Sequence, residues 1–281
     1  MSEGNIVSAV QLQASEEQLA KWETRFRPYR RHPSRDCLIA WLKQFDEKHQ
    51  TIAHRVLDSV ILLSEDDILQ GYKGTLESLP GWSKKSDERV GRWFFVGMGD
   101  AGESGQAMLR LFREANGLVA DRWQSLCVMP RELPGLALKA VDSVVFVDDF
   151  AGSGQQMVNY WPIIEELVAS EARCYLALSA TTSRAEAEIR AKTEFDIRAP
   201  VVLQEKDNLF SDECDTFTDE EKLVLEGYGK RASKSQPRGF GDCGLAIVLS
   251  HKTPNNSVPV LHANHANWVS PFPRQLIPVA A

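Results

Sequence analysis

No apolar run in this 281-residue chain approaches the ~20 residues that cross a bilayer, so a membrane-spanning helix is not expected. The opening residues, Met1-Ser2-Glu3-Gly4-Asn5, lack the basic and apolar stretches of a secretory leader. Cysteine is sparse: Cys37, Cys127, Cys174, Cys214 and Cys243 are odd in number, scattered and free of any C-x-x-C pair. That pattern suits reduced, buried thiols better than a disulfide framework. Excess positive charge is missing too. The 32 Lys and Arg against 39 Asp and Glu leave −7, so the whole chain offers no field to hold bare nucleic acid, although a local basic patch stays open. There is no internal repeat and no low-complexity tract. Together these absences predict a soluble cytoplasmic protein with no membrane partner. What is present is ordinary globular composition, 43% apolar and 25% charged, enough for one large α/β domain or a core with an appendage.

The first ~80 residues read as helical. Ser15-Glu16-Glu17-Gln18 is a capping-box pattern ahead of Leu19, Trp22 and Phe26. Pro28 and Pro33 end that helix. Leu38, Trp41, Leu42 and Phe45 form a second stripe, and Ile52, Val56, Val60 and Leu63 a third. Ser64-Glu65-Asp66-Asp67 caps a further helix carrying Ile68, Leu69 and Tyr72. Pro80-Gly81 and the polar residues after it predict a linker between a helical region, 1–80, and an α/β domain, 88–281, with a C-terminal cap.

Beyond that linker the period changes. Strand-length apolar runs at 93–96, 126–129, 144–147, 175–178 and 201–203 alternate with helical segments at 106–115, 155–169 and 183–193. Such alternation predicts a parallel sheet covered by helices on both faces. A last run, 245–249, either extends the sheet or belongs to the cap.

One stretch carries chemistry. Val144-Val145-Phe146-Val147 leads into Asp148-Asp149, then Phe150-Ala151, then Gly152-Ser153-Gly154 and a helix opening at Gln155-Gln156. Ligands of open α/β sheets bind beyond the carboxyl ends of strands. An Asp-Asp pair alone reads as a solvated strand end. Followed by a glycine turn and a helix N-terminus, it becomes two carboxylates beside an anion seat. That combination suits a sugar phosphate, whose hydroxyls donate to the carboxylates and whose phosphate accepts from backbone N–H groups, with Mg²⁺ relieving the repulsion.

This stretch resembles the signature of the type I phosphoribosyltransferases, an apolar strand, two acidic residues and a small-residue phosphate loop. The resemblance implies that Asp148 and Asp149 contact ribose hydroxyls and act as the catalytic pair, holding Mg²⁺ indirectly. It implies that Gly152, Ser153, Gly154, Gln155 and Gln156 cup a 5′-phosphate. Gln156 departs from the family's threonine. A second family loop should hold pyrophosphate and metal after the first sheet strand; Gly99, Gly102, Ser104 and Gly105 occupy that place, beside Asp100 and Glu103, which oppose an anion. The same glycines equally suit an ordinary strand-to-helix turn. Arg131 and Lys139 lie where the family carries a mobile loop, and either is equally a solvated surface charge. The segments Phe240-Gly241-Asp242-Cys243-Gly244, His251-Lys252-Thr253-Pro254-Asn255-Asn256, Trp41-Leu42-x-x-Phe45 and Trp268 to Arg274 are similar to phosphoribosyltransferase-like proteins of bacterial anti-phage loci.

His251, His262 and His265 lack the spacing of a zinc site. His251-Lys252 reads instead as a polar rim for substrate, or as a loop held by its own hydrogen bonds. The basic cluster Lys230, Arg231, Lys234 and Arg238 meets a phosphate-bearing substrate or RNA, or is a solvated linker; RNA is the weaker reading. Two functional expectations result. One is a Mg²⁺-dependent enzyme acting at the N-glycosidic carbon of phosphoribosyl pyrophosphate or a nucleotide within a defence system. The other is a non-catalytic ribose-phosphate sensor or scaffold of a defence complex, retron-like for example, docking a protein partner through the helical N-terminus.

Overall fold

The hydroxyl of Ser15 accepts from the Gln18 N–H and opens α1 (Glu16–Phe26), the first element of a computed structural model that describes residues 14–99, 104–168 and 171–274. The chain continues through α2 (Arg35–Leu42), α3 (Gln50–Asp58), β1 (Ile61–Leu63) and α4 (Glu65–Glu77), with Pro28 and Pro33 in the break after α1. Ser64 and Asp67 form a reciprocal capping box on α4. There follow β2 (Trp93–Gly97), α5 (Ser104–Ala115), β3 (Ser143–Ala151), α6 (Gln155–Val168), β4 (Arg173–Thr182) and α7 (Ser183–Lys192). The short strands β5 (Asp196–Arg198) and β6 (Val202–Leu203), then α8 (Asp219–Ala232) and β7 (Ile247–Leu249), complete the order.

Contacts divide the chain into two compact units, 63–213 and a discontinuous one formed by the segments before and after it. The Pro80-Gly81 segment lies within the first of these, and residues 214–274 belong with the N-terminal helices.

In unit 63–213 the sheet is wholly parallel, ordered β2-β3-β4-β5, with β6 also pairing with β4. Phe95, Val145 and Tyr175 stand on one face, where α4 and α5 lay Tyr72 and Phe112 against them. Phe146 and Leu176 stand on the other, packed with Met157, Trp161 and Ile164 of α6. The all-apolar strands follow from this double cover. The α/β class and the helices expected near 106–115, 155–169 and 183–193 are present.

One strand expectation is corrected, and of the two readings of 245–249 one falls away. The run 126–129 is reduced to a single bridge, Phe95 to Cys127, because a 3₁₀ turn (Asp121–Leu126) precedes it and Pro130 opens another. The run at 245–249 does not extend the parallel sheet; β7 pairs with β1, and the Ile61 N–H donates to Ala246 O at 2.7 Å.

In the other unit, Trp41 and Trp268 both donate their indole N–H to Val260 O, at 2.7 and 3.1 Å. Phe45 and Tyr228 pack onto the same cluster, and Phe26 and Tyr29 meet Phe272 edge-on. These indoles are fully buried and each finds an acceptor, the condition for placing tryptophan in a core.

Candidate functional site

Parallel pairing sets Gly97 of β2 against Val147 of β3, so the segments leaving both strands emerge side by side. After β2 the chain passes through α5 to the Cys127 bridge at one edge of the sheet; after β3 it passes through α6, on the opposite face, to β4. The strand order therefore reverses between β2 and β3, where open α/β sheets hold their ligands.

Asp148 is 3% exposed and Asp149 half-buried. The Ser104 hydroxyl, at the start of α5, donates to Asp148 Oδ1 at 3.0 Å, and the Asp149 N–H donates to the same oxygen at 2.9 Å. Asp149 Oδ1 accepts from the Phe150 N–H at 2.8 Å. The acidic pair and the glycine-rich loop are thus brought together through Ser104. That loop needs its glycines. A Cβ on Gly105 would lie 1.8 Å from Met98 O, and Gly99 has φ +86°. Gly102 falls outside the described residues.

The turn at 152–154 is tied down from β4. Thr181 Oγ1 donates to Ala151 O at 3.0 Å and Thr182 Oγ1 to Gly152 O at 2.7 Å, while Thr182 also caps α7 by accepting from the Ala185 N–H. Gly154 sits at φ +75°, and a Cβ there would come within 3.0 Å of Ala185 O. The Gln155 N–H turns to Ser153 Oγ at 3.4 Å, and Val158 is the first residue of α6 whose N–H closes onto the turn, at Gly154 O. The first turn of a helix leaves donors at its mouth, the geometry that receives a phosphate. The Gln155 side chain does not face that mouth but donates to Asn159 Oδ1 at 2.7 Å; Gln155 and Gln156 are both exposed.

Three groups escaped the sequence reading. Tyr72, fully buried on α4, donates its hydroxyl to Asp148 O at 2.8 Å and accepts from the Ser179 hydroxyl at 3.0 Å. Burial drives its pKa well above the usual tyrosine value; the Ser179 hydrogen bond opposes this and the charges on Asp149 and Asp148 add to it. The signal was available: Ile68, Tyr72 and Leu76 share one helix face, and a buried tyrosine hydroxyl needs a partner. The Thr181-Thr182 pair was legible only as the end of a strand.

Arg131 and Lys139 lie exposed on the segment before β3 and form no ion pair among the described residues. That segment is held by Asp142, which is 2% exposed and accepts from the Arg92 side chain at 2.6 Å and from the Lys139 N–H at 2.9 Å. His251 and Lys252 sit in the turn after β7, in the other unit. His262 and His265 face the carbonyls of Ser257 and Ala232. Among the described residues no group of three or more His, Cys, Asp or Glu is placed to hold a metal. A cavity of about 430 Å³ lies at the opposite end of the sheet from Asp148, lined by Trp161, Glu165, Arg173, Cys174 and Glu194 among others. Burial, with the charge on Glu194, pushes the Cys174 thiol up to about 12, so it stays protonated there. No described helix is long and apolar enough to cross a membrane.

A doubly covered parallel sheet whose central strand ends in buried and half-buried carboxylates above a glycine turn is consistent with a phosphoribosyltransferase-like fold. The PRTase-CE family model matches residues 38–274, and the chain belongs to that family. The match takes in both units. No curated protein matches the chain.

Proposed function

We propose that the chain binds a phosphorylated ribose, either phosphoribosyl pyrophosphate or a nucleotide, and acts at its N-glycosidic carbon. The observation that carries this reading is the Ser104–Asp148 hydrogen bond, which joins the loop after β2 to the acidic tip of β3. In the proposed pose Asp148 and Asp149 accept from the ribose 2′- and 3′-hydroxyls, and the turn at 152–154 with the mouth of α6 receives the 5′-phosphate. The bond from C1 to the leaving oxygen of pyrophosphate breaks, and a bond from C1 to a nucleophile's nitrogen forms. With a nucleotide as substrate, a bond from C1 to the oxygen of water forms instead, the C1–N bond breaks, and the proton that water gives up leaves with the base. Either route builds positive charge on the ribose ring, which two neighbouring carboxylates stabilise by position alone.

The donor set fits a Mg²⁺ ion that arrives with the substrate and keeps several waters, the usual habit of this ion beside one or two carboxylates and phosphates. Bound there, it would neutralise pyrophosphate charge. Asp148 and Asp149 would hold it through their carboxylates or through water, with Ser104 fixing the Asp148 rotamer. Likeness of the segments around Trp41, Phe240, His251 and Trp268 to proteins of bacterial conflict loci supports a role in anti-phage defence, with a protein partner engaged through the helical N-terminal region.

A second reading keeps the pocket and drops turnover: a ribose-phosphate sensor or scaffold subunit. The outward turn of Gln155 toward Asn159 favours it, since that side chain then gives nothing to the phosphate. Calorimetry with phosphoribosyl pyrophosphate and nucleoside monophosphates, each with and without Mg²⁺, tests the shared claim. Heat from any of them supports it, and silence from all overturns it. Release of pyrophosphate or of free base then separates enzyme from sensor.

A further inference from the structure

The discontinuous unit, residues before 63 and after 213, carries exposed cations that no carboxylate among the described residues pairs. Eleven residues, Arg25-Phe26-Arg27-Pro28-Tyr29-Arg30-Arg31-His32-Pro33-Ser34-Arg35, hold five arginines in a chain of net charge −7. The two outer arginines are occupied. Arg25 donates to the carbonyls of Asp58 and Val60, and Arg35 pairs with Glu16 and Glu23. Arg27, Arg30 and Arg31 are exposed and take no carboxylate among the described residues.

A distant segment adds to this face. The Arg30 N–H donates to Ser250 O at 2.7 Å, which sets the tract beside the tight turn where Leu249 and Lys252 exchange backbone hydrogen bonds. Lys252 is likewise without an ion pair among the described residues. Below them Tyr29 is buried, with its hydroxyl near Thr253 and donating to Pro273 O. Burial raises that hydroxyl's pKa, and Thr253, Arg31 and Arg274 oppose the shift, which puts both arginines within electrostatic reach of one point.

The basic cluster singled out from sequence is different. Lys230 and Arg238 share Glu226, and Arg231 lies over Tyr228 and Trp268 while donating to Gln44 O. Those charges serve the fold. We propose that the Arg27, Arg30, Arg31 and Lys252 face binds the phosphate backbone of a nucleic acid. Guanidinium groups pair bidentately with phosphate, and here three of four cations are arginine. A membrane surface fits less well, since interfacial binding needs apolar anchors and, among the described residues, no large exposed apolar side chain falls within 25–35 or 250–253. The inference is independent of the reading of the Asp148 site.

The test is fluorescence anisotropy of the full chain with short labelled RNA, single-stranded DNA and duplex DNA, against vesicles of anionic lipid and against poly-glutamate as a competitor. Four phosphate contacts on a single strand predict roughly 50-fold weaker binding between ~50 and ~200 mM salt. Either Arg30→Gln/Arg31→Gln or Arg27→Gln/Lys252→Gln should cut that salt effect to roughly sevenfold. Lys230→Gln should change nothing. The two double variants lie on different combinations of segments, so misfolding of one leaves the other as the test. Absence of nucleic-acid binding, binding indifferent to both double variants, binding to vesicles alone, or displacement by poly-glutamate at equal charge concentration would each overturn the proposal.

Discussion

The hydroxyl of Tyr72 donates to the main-chain carbonyl of Asp148 at 2.8 Å, deep in unit 63–213 and with Ser179 donating back to the tyrosine. The bond fixes the backbone of β3 at the residue whose side chain is proposed to meet the ligand. Tyr72→Phe keeps the ring and removes the hydroxyl, so the Asp148 carbonyl loses one donor and the buried Ser179 hydroxyl loses its acceptor. The expected loss is about 1–3 kcal/mol in urea unfolding. Ribose-phosphate affinity should fall with it, and a variant as stable as the parent would show that the bond is not made.

Ser104→Ala separates site from scaffold. Ser104 is half-buried and its hydroxyl bonds, among the described residues, the carboxylate of Asp148, so thermal unfolding should barely move. Ligand affinity measured by calorimetry should weaken about tenfold, the worth of one hydrogen bond to a charged group. Unchanged affinity would detach the loop after β2 from the site.

Gly154→Ala asks whether the turn before α6 tolerates a side chain. Its φ of +75° and the 3.0 Å approach to Ala185 O predict a loss of about 1–2 kcal/mol. Phosphate-dependent binding should drop further, because the turn must shift to accept the methyl group. Gly105→Ala should be worse, with Met98 O only 1.8 Å from the new atom.

Much of this was legible in sequence because it rests on period and local chemistry. The apolar runs of β2, β3 and β4, the caps at Ser15 and Ser64, and the acidic tip with its glycine turn all declare themselves within a few residues. The run at Cys127 misled, and the run 245–249 stayed open between sheet and cap, because an apolar run does not reveal its partner. The first is hemmed by 3₁₀ turns; in the second, Ile247–Leu249 pair with β1, some 180 residues away in the chain, while Leu245 bridges to Ser257. The Tyr72 face was readable from its spacing but not the carbonyl it would meet, and Thr181 and Thr182 act through hydrogen bonds to main-chain carbonyls of the neighbouring β3 and its turn, contacts that no spacing in the sequence announces. The ion pairs that spend Lys230 and Arg238 on Glu226 were hidden for the same reason.

Acid should destabilise the discontinuous unit through His262. Burial, helped by Arg274 and opposed by the bond to Ser257 O, lowers its pKa to about 4 from 6.5. The unfolded chain therefore binds a proton that the folded chain refuses between those values, so the contribution is complete above pH ~6.5 and is lost as pH falls toward 4. The shift corresponds to about 3 kcal/mol over that window. His54, also lowered by burial, acts in the same direction. His262→Gln should flatten the pH dependence of urea unfolding, and an equally steep profile in the variant would refute the assignment.

The central claim is that Asp148 and Asp149 form one ribose-binding edge. Its most direct test is calorimetric titration of phosphoribosyl pyrophosphate with Mg²⁺ into the parent chain and into Asp148→Asn/Asp149→Asn, with circular dichroism showing both folded. The account predicts saturable heat from the parent and at least a hundredfold weaker binding by the variant, about 3 kcal/mol for two charge-assisted contacts. Equal binding by the two proteins, or none by the parent, would contradict it.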